Sequence, residues 1–313
     1  MVKEKTAALE RAKKATAKGR ASSRGGSSSR SQLPRGWVQG DWICSTITEK
    51  DLADLADEGL IPHGSARLPG TESQPQPQEG ECVLLATHVD RGFSLPPNPF
   101  FRGFPNFFGA QLHHFTPNSI AYLAAFVSLC ENFLGCWPHW GLFKHIFTCR
   151  SQTVKKENPD DERTQVIQMC GGLGVQMRGK SAFPAMTLPD SVRGWQSTWF
   201  YCQDQSTPGQ STGLPPFSMS RVDKPSSLKV LPEEKAQVKL LMECVVQLIR
   251  DGVTGMDLLE VFLRWRIQPL QYRGHPMWMY SGTDDTTRVH PEEVGDATLE
   301  RWMTAITGNK DNP

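Results

Sequence analysis

The chain has 313 residues, of which 38% are apolar, and a formal net charge of +1. This length fits two average domains or one large domain with a tail, and the low apolar fraction indicates that part of the chain lies outside any core. The longest apolar run, residues 120–130, is too short to span a bilayer, and no apolar signal segment is present, so we expect no membrane insertion. The eight scattered cysteines are typical of reduced intracellular thiols.

The first 30 residues are strongly basic, with nine Lys or Arg against Glu4 and Glu10. Residues 1–33 carry no aromatic side chain and cannot bury enough surface to offset an ordering entropy of roughly 1–2 kcal/mol per residue, so we expect a disordered tail. Such a tail can be solvated without a specific role, contact RNA or DNA, act as a nuclear import signal or serve as an organelle transit peptide, which the two glutamates disfavour. The candidate nucleic-acid contacts of the tail are Lys13, Lys14, Lys18, Arg20 and Arg24.

Ordered structure is expected from about residue 37. Thr48 can cap a helix over residues 49–58, with Asp51 completing the reciprocal capping contact and Gly59 ending the helix. Residues 65–80 are predicted to form an exposed loop, and residues 82–86 a short buried strand.

The segment from Gly92 to Phe147 has the densest aromatic content of the chain. Residues 116–135 predict one helix with an apolar face, because Thr116 can cap it and Gly135 can close it. A second short helix is expected to open at Pro138. Together they predict a helical hairpin at the centre of the core.

The next segments predict loops, strands and turns. The charged residues 151–163 are predicted to form a surface linker, and the glycine run 171–174 a turn or bulge between strands rather than a phosphate loop, because strand-like sequence follows it. Residues 198–202 are aromatic and β-prone, and therefore predict a strand. Residues 277–280 are a candidate edge strand.

The C-terminal third predicts three helices. The first opens at Pro232 and is closed by Gly252, and the second is capped by Thr254 and stopped by Pro269. The second helix is expected to turn four side chains inward: Leu258, Val261, Phe262 and Trp265. The third helix spans residues 297–307.

These elements predict a mainly α fold (α+β): a helical globular domain with a small β-sheet, preceded by the disordered basic tail. The predicted divisions are the tail at 1–33, an N-terminal helical part at 37–150, a charged linker at 151–163, a C-terminal part with the sheet and helices at 164–308, and a tail at 309–313.

Metal binding finds little support in the residue spacing. Four residues within fourteen positions are of types that bind zinc: Cys136, His139, His145 and Cys149. Their spacing fits no common zinc pattern, so we interpret them as buried thiols and ordinary histidines. The His113-His114 pair is expected to cap a helix or lie on the surface. No metal and no cofactor is predicted.

No motif for nucleophilic catalysis is present, and no catalytic residue is assigned. Acidic residues cluster at 160–162, inside the charged linker, and at Asp284 and Asp285. Two-metal nucleotidyl transfer needs carboxylates brought together in space, and the sequence leaves Asp284 and Asp285 open in that respect.

A compact basic-aromatic patch, RWRIQPLQYR, contains the remaining candidate nucleic-acid contacts, Arg264, Arg266 and Arg273. Arginine beside aromatic rings can bind phosphates and stack on bases. It can equally anchor a helix end to a carboxylate on a neighbouring element, which is the interpretation we favour.

Several runs resemble the plant proteins catalogued as "putative gypsy-type transposon" domain proteins. The runs are residues 99–103, 111–120, 130–135, 138–140, 190–195, 199–201, 252–255 and 266–271, so the resemblance covers roughly residues 42–288. It implies origin from a long-terminal-repeat retrotransposon and no established activity or catalytic residues. No aspartic-protease, reverse-transcriptase or zinc-knuckle motif is present.

We therefore predict a retrotransposon-derived, non-enzymatic interaction or assembly module inside the cell, in the nucleus or cytoplasm. Its expected partners are RNA or DNA, bound without sequence preference through the tail, and other protein chains. The alternatives are a nucleotidyl-transfer enzyme, of the transposase or integrase kind, or its degenerate remnant, and a decaying reading frame without a cellular role.

Overall fold

A computed structural model describes residues 42–95, 97–158, 161–203, 213–225, 228–265 and 295–308. All of them belong to the second of the two units into which the chain divides, Trp37–Pro313. Within these ranges eight α-helices are present: α1 Glu49–Asp57, α2 Ala86–Val89, α3 Pro99–Phe108, α4 Pro117–Ser128, α5 Trp140–Ile146, α6 Lys235–Arg250, α7 Gly255–Trp265 and α8 Asp296–Thr307. The fold is mainly α with small antiparallel sheets, which confirms the α+β prediction.

Seven strands form three small sheets: β1 Ala66–Arg67, β2 Glu81–Leu85, β3 Phe147–Ser151, β4 Thr153–Asn158, β5 Asp161–Ile167, β6 Leu173–Met177 and β7 Trp199–Gln203. The first sheet has the order β1-β7-β2, and β3 pairs with β6 and β4 with β5, all antiparallel. The predicted strand at 198–202 is therefore the central strand β7, and that at 82–86 is the edge strand β2.

The charged surface linker predicted at 151–163 contains regular structure, because residues 153–158 and 161–163 belong to the hairpin β4-β5. Thr153 pairs with Ile167, and Asn158 pairs with Asp161. The pairing satisfies backbone N–H and C=O groups whatever the side-chain charge, so apolar residues are not needed to form the ladder.

Helix α4 lies at the centre of the core, and ten of its twelve residues are buried. The predicted apolar face is thus buried, and so are most other sides of the helix, because a helix surrounded by protein is apolar on nearly all sides. The helix also ends earlier than predicted, at Ser128, and continues as one π-helical turn, Leu129–Phe133.

The predicted hairpin of α4 and α5 is only partly present. Phe126 of α4 contacts Phe143 of α5, with ring centroids 5.2 Å apart. The principal packing partner of α4 is instead α7, from the C-terminal third of the chain. Gly92, at φ +100°, permits this approach, since a Cβ there would lie 2.6 Å from the ring of Phe262.

Helix α3 was not predicted, because Gly103 and Pro105 interrupt its sequence. Asn98 caps it by accepting a hydrogen bond from the backbone N–H of Phe100 at 2.8 Å. The burial of its aromatic side chains outweighs the weak intrinsic propensity: Phe104 is fully buried, and its ring lies 5.2 Å from that of Phe143.

The three C-terminal helices are confirmed, with one correction. The inner face of α7 consists of Leu258, Leu259, Phe262 and Leu263, whereas Val261 is only half-buried. Pro269 and the candidate strand 277–280 lie outside the described residues. Within the described ranges, none of the helices combines the length and the apolar character needed to cross a bilayer.

Candidate interaction surface

Most of the predicted nucleic-acid contacts lie outside the described residues: Lys13, Lys14, Lys18, Arg20, Arg24, Arg266 and Arg273. Arg264 is described. Its Nη2 atom lies 2.9 Å from Oδ1 of Asp296 and 3.6 Å from Oε1 of Glu260. The hydrogen bond to Asp296 raises the pKa of Arg264. Arg264 thus links α7 to α8, as the structural interpretation of the patch requires.

The four residues of types that bind zinc differ in their surroundings. His139 caps α5 by accepting a hydrogen bond from the N–H of Leu142 at 3.1 Å, and His145 is exposed. Cys149 is buried in β3, where burial raises the pKa of its thiol to about 12. Across the described ranges, no three His, Cys, Asp or Glu side chains are arranged to hold a metal ion.

The expected surface position of His113 and His114 is wrong, because both side chains are buried. The capping alternative holds for His114, whose Nδ1 accepts a hydrogen bond from the N–H of Gln111 at 2.9 Å. Of the acidic clusters, Asp160, Asp284 and Asp285 lie outside the described residues.

An open groove along α6 was not predicted from the sequence. It encloses about 710 Å³ and is lined by one stripe of α6 with helical spacing, together with Val230 and His145: Lys235, Val238, Lys239, Met242, Glu243, Val246 and Arg250. Met242 and Val246 are only half-buried, although they belong to the apolar part of the stripe. A sequence signal existed, since α6 carries more apolar residues than one inward face requires.

The groove lies beside, rather than within, the packed face of α6. Val238 and Val245 are buried, and Val238 packs close to Gly141 of α5, where an added Cβ would be 3.0 Å away. At one end, Lys144 of α5 donates hydrogen bonds of 2.9 and 2.8 Å to both carboxylate oxygens of Glu234. The helix is therefore held in place while its second apolar stripe stays open.

The rim of the groove is basic. Lys235, Lys239 and Arg250 are exposed, and among the described residues that line the groove Glu243 is the one carboxylate. A surface of this kind attracts an acidic partner and repels a copy of itself, because like charges meet across a two-fold interface. Leu240, which is 64% exposed on the same helix, does not line the groove.

Comparison with known proteins identifies part of the chain. Residues 83–151, from β2 to β3, match the family model described as "Putative gypsy type transposon". This segment is therefore similar to a gypsy-type transposon family. The match confirms the predicted resemblance over less than a quarter of the 313 residues. No curated protein and no solved structure matches the chain.

The matched segment contributes to the core rather than to the groove. It includes α3, α4 and α5 with their aromatic side chains, whereas the groove is lined mainly by α6. His145 is the groove residue that lies within the matched range.

Proposed function

We propose that this retrotransposon-related protein is a non-enzymatic interaction module, which binds an amphipathic helix with acidic flanks in the α6 groove. The observation that carries the proposal is the open apolar stripe with its basic rim. Met242 and Val246 would receive the apolar side chains of the partner, and Lys239 and Arg250 would face its carboxylates. Helix-in-groove recognition uses this combination of apolar anchors and flanking charges.

The size of α6 suits such a partner. Sixteen residues at 1.5 Å each give a stripe of about 24 Å, which matches a partner helix of four to five turns. Full burial of a methionine side chain contributes about 1.5–3 kcal/mol, and Met242 is already half-buried, so loss of its contact should weaken binding about threefold to tenfold.

The test is titration of the full chain with a synthetic amphipathic peptide that carries leucines on one face and glutamates beside them. We expect saturable binding that weakens as salt increases, and weaker binding of a peptide with lysines in place of the glutamates. Met242→Asp should reduce the affinity at least about tenfold, whereas Leu240→Asp, on the same helix but outside the groove, should not change it.

Three outcomes would contradict the proposal. In the first, neither the glutamate-flanked nor the lysine-flanked peptide binds. In the second, Met242→Asp and Leu240→Asp change the peptide affinity equally. In the third, the full chain is a dimer that Met242→Asp converts to a monomer. The last result would show that a second copy fills the groove. Lys239→Glu provides a further check, because it should shift the preference toward the lysine-flanked peptide.

We further propose that the basic tail makes non-specific contact with RNA or DNA, and that the protein works in the nucleus or cytoplasm. Nine cations within 30 residues support this contact, because neutralised phosphates release counterions. The full chain and a protein lacking residues 1–30 are compared on random-sequence RNA and DNA across a salt series. Binding with a steep salt dependence should disappear with the tail; equal binding by both proteins would place the contact in the folded part.

A further inference from the structure

A second groove, polar rather than apolar, lies between the N-terminal turn of α4, strand β6 and the segment 186–196. It also encloses about 710 Å³. Four glutamines line it: Gln152, Gln168, Gln176 and Gln196. We propose that this groove binds an extended, uncharged peptide segment of a partner protein, through hydrogen bonds from these side-chain amides to the peptide backbone.

The glutamine amides are free to bind a ligand. Within the described part of the chain, no hydrogen bond engages the side-chain amide of any of the four. Gln111, outside this groove, shows the contrast: its Nε2 donates to the carbonyl of Pro216 at 2.9 Å, and its Oε1 accepts from the N–H of Ser218 at 2.8 Å. The groove therefore offers donors and acceptors that the fold itself does not use.

Backbone hydrogen bonds hold the chain in place at two of the four glutamines, Gln152 and Gln168. The N–H of Gln168 donates to the carbonyl of Gln152 at 2.9 Å, and the N–H of Gln152 donates to the carbonyl of Gly172 at 2.8 Å. The two glutamines thus stand at paired positions where the β3-β6 pair meets the β4-β5 hairpin. Gly174 leaves space for Gln152, since a Cβ at this position would lie 2.6 Å from Nε2 of Gln152.

The opposite wall is tied to α4. The Nδ2 atom of Asn118 donates to the carbonyl of Pro189 at 2.7 Å, which holds the segment 186–192 against the start of the helix. Trp195 forms the base of the groove. Its side chain is buried and packs against Gly171, and its ring stacks on that of His88 with the ring centroids 5.4 Å apart. The groove is therefore formed before any ligand arrives.

The chemistry of the lining selects the class of ligand. No Lys or Arg lines the groove, and Asp190 is its one charged residue among those described, so a phosphate or a nucleic-acid backbone has no counter-charge there. The Trp195 ring is already stacked and buried, so it presents no open face for a sugar or a base. The other aromatic residue of the lining, Tyr122, is half-buried, and its ring lies 5.5 Å from that of Phe147. Aliphatic side chains also line the groove, including Val154, Met186 and Leu188.

An extended peptide can use both the amides and the aliphatic side chains of the lining. Carboxamides pair with backbone N–H and C=O groups, because they carry the same donor and acceptor, and alternate peptide side chains could enter the aliphatic positions. This occupant differs in conformation and charge from the acidic helix proposed for the α6 groove, and the inference does not depend on that site.

The test is calorimetric titration of the full chain with the capped pentapeptide Ser-Val-Thr-Val-Ser and with the same peptide N-methylated on its backbone. We expect one-to-one binding of the first and at least about tenfold weaker binding of the second, which lacks the N–H donors. Because no cation is among the described residues that line the groove, the affinity should stay constant between about 50 and 500 mM salt.

Variants locate the binding. Gln168→Ala and Gln196→Ala should each weaken it about threefold to tenfold, and Gly174→Ala should do so by displacing Gln152. Gln237→Ala, at an exposed position on α6, is the matched control and should have no effect. Absence of pentapeptide binding, equal binding of the N-methylated peptide, or displacement of the peptide by adenosine or methyl glucoside would overturn the proposal.

Discussion

Acidification should destabilise this protein well above the pH at which its carboxylates become protonated, because three histidines are buried in the core: His88, His113 and His114. Burial lowers the pKa of His88 from 6.5 to about 3, and the nearby Arg91 acts in the same direction. Burial likewise lowers the pKa of His113 and of His114. All three are therefore neutral in the folded protein at pH values where an unfolded chain would protonate them.

The sign and size of the effect follow from proton linkage. A histidine with a lowered folded pKa contributes stability above pH 6.5, and this stability is lost progressively as the pH falls from 6.5 toward 3. For His88, a decrease from about pH 7.5 to about pH 5.0 should cost on the order of 2 kcal/mol, at 1.36 kcal/mol per pH unit below 6.5. The carboxylates of Asp51 and Glu81 have pKa values lowered from 3.8 and 4.5, so they do not contribute in this window.

The assay is urea unfolding at a series of pH values between about 7.5 and 5.0. His88→Gln should reduce the pH-dependent loss of unfolding free energy by about 2 kcal/mol, whatever its effect on stability at neutral pH. His63→Gln is the control for the substitution itself, since the His63 side chain is 74% exposed. If His88→Gln lost as much stability as the wild type between these pH values, the reasoning about buried neutral histidines would be wrong.

Three further predictions concern packing and pairing. In chemical denaturation, Gly92→Ala should lower the unfolding free energy more than Gly64→Ala. Both substitutions add left-handed strain of about 1–2 kcal/mol, but only the Cβ added at position 92 would also clash with Phe262. Equal losses of unfolding free energy would refute the clash. Phe104→Ala should cost about 3–5 kcal/mol on the same scale, whereas Phe107→Ala, at a side chain that is 55% exposed, should cost less than about 1 kcal/mol. Arg67→Lys should cost about 1–2 kcal/mol, because Arg67 donates to both oxygens of Glu81 at 2.8 and 2.7 Å and lies 4.0 Å above the Tyr201 ring; a thermal unfolding midpoint equal to that of the wild type would contradict this.

Local signals in the sequence predicted the helix boundaries well. Thr48 and Asp51 exchange both bonds of the capping box, and Thr254 and Asp257 do the same at the start of α7. These contacts involve residues three positions apart, so their geometry depends little on the rest of the fold.

Features that depend on distant residues were predicted less well. Helix α3 forms despite Pro105 because its aromatic side chains meet α5, and the charged residues of β4 form a strand because β5 pairs with them. The α6 groove was missed for the same reason: whether a second apolar stripe is covered depends on which elements pack beside it. The glutamines of the polar groove occur at no regular spacing: Gln152 and Gln168 meet where the β3-β6 pair joins the β4-β5 hairpin, and Gln196 comes from a separate segment of the chain.

The two grooves are proposed to bind partners that differ in conformation and charge, so binding at each groove can be measured separately. The α6 groove favours a helical partner with acidic flanks, and its binding should weaken with salt because the rim carries Lys235, Lys239 and Arg250. The glutamine-lined groove favours an extended neutral segment, and its binding should not depend on salt. Met242→Asp should therefore leave pentapeptide binding unchanged, and Gln168→Ala should leave binding of the acidic helix unchanged. If either variant lost binding of both the pentapeptide and the acidic helix, the substitution would instead have disturbed the fold as a whole.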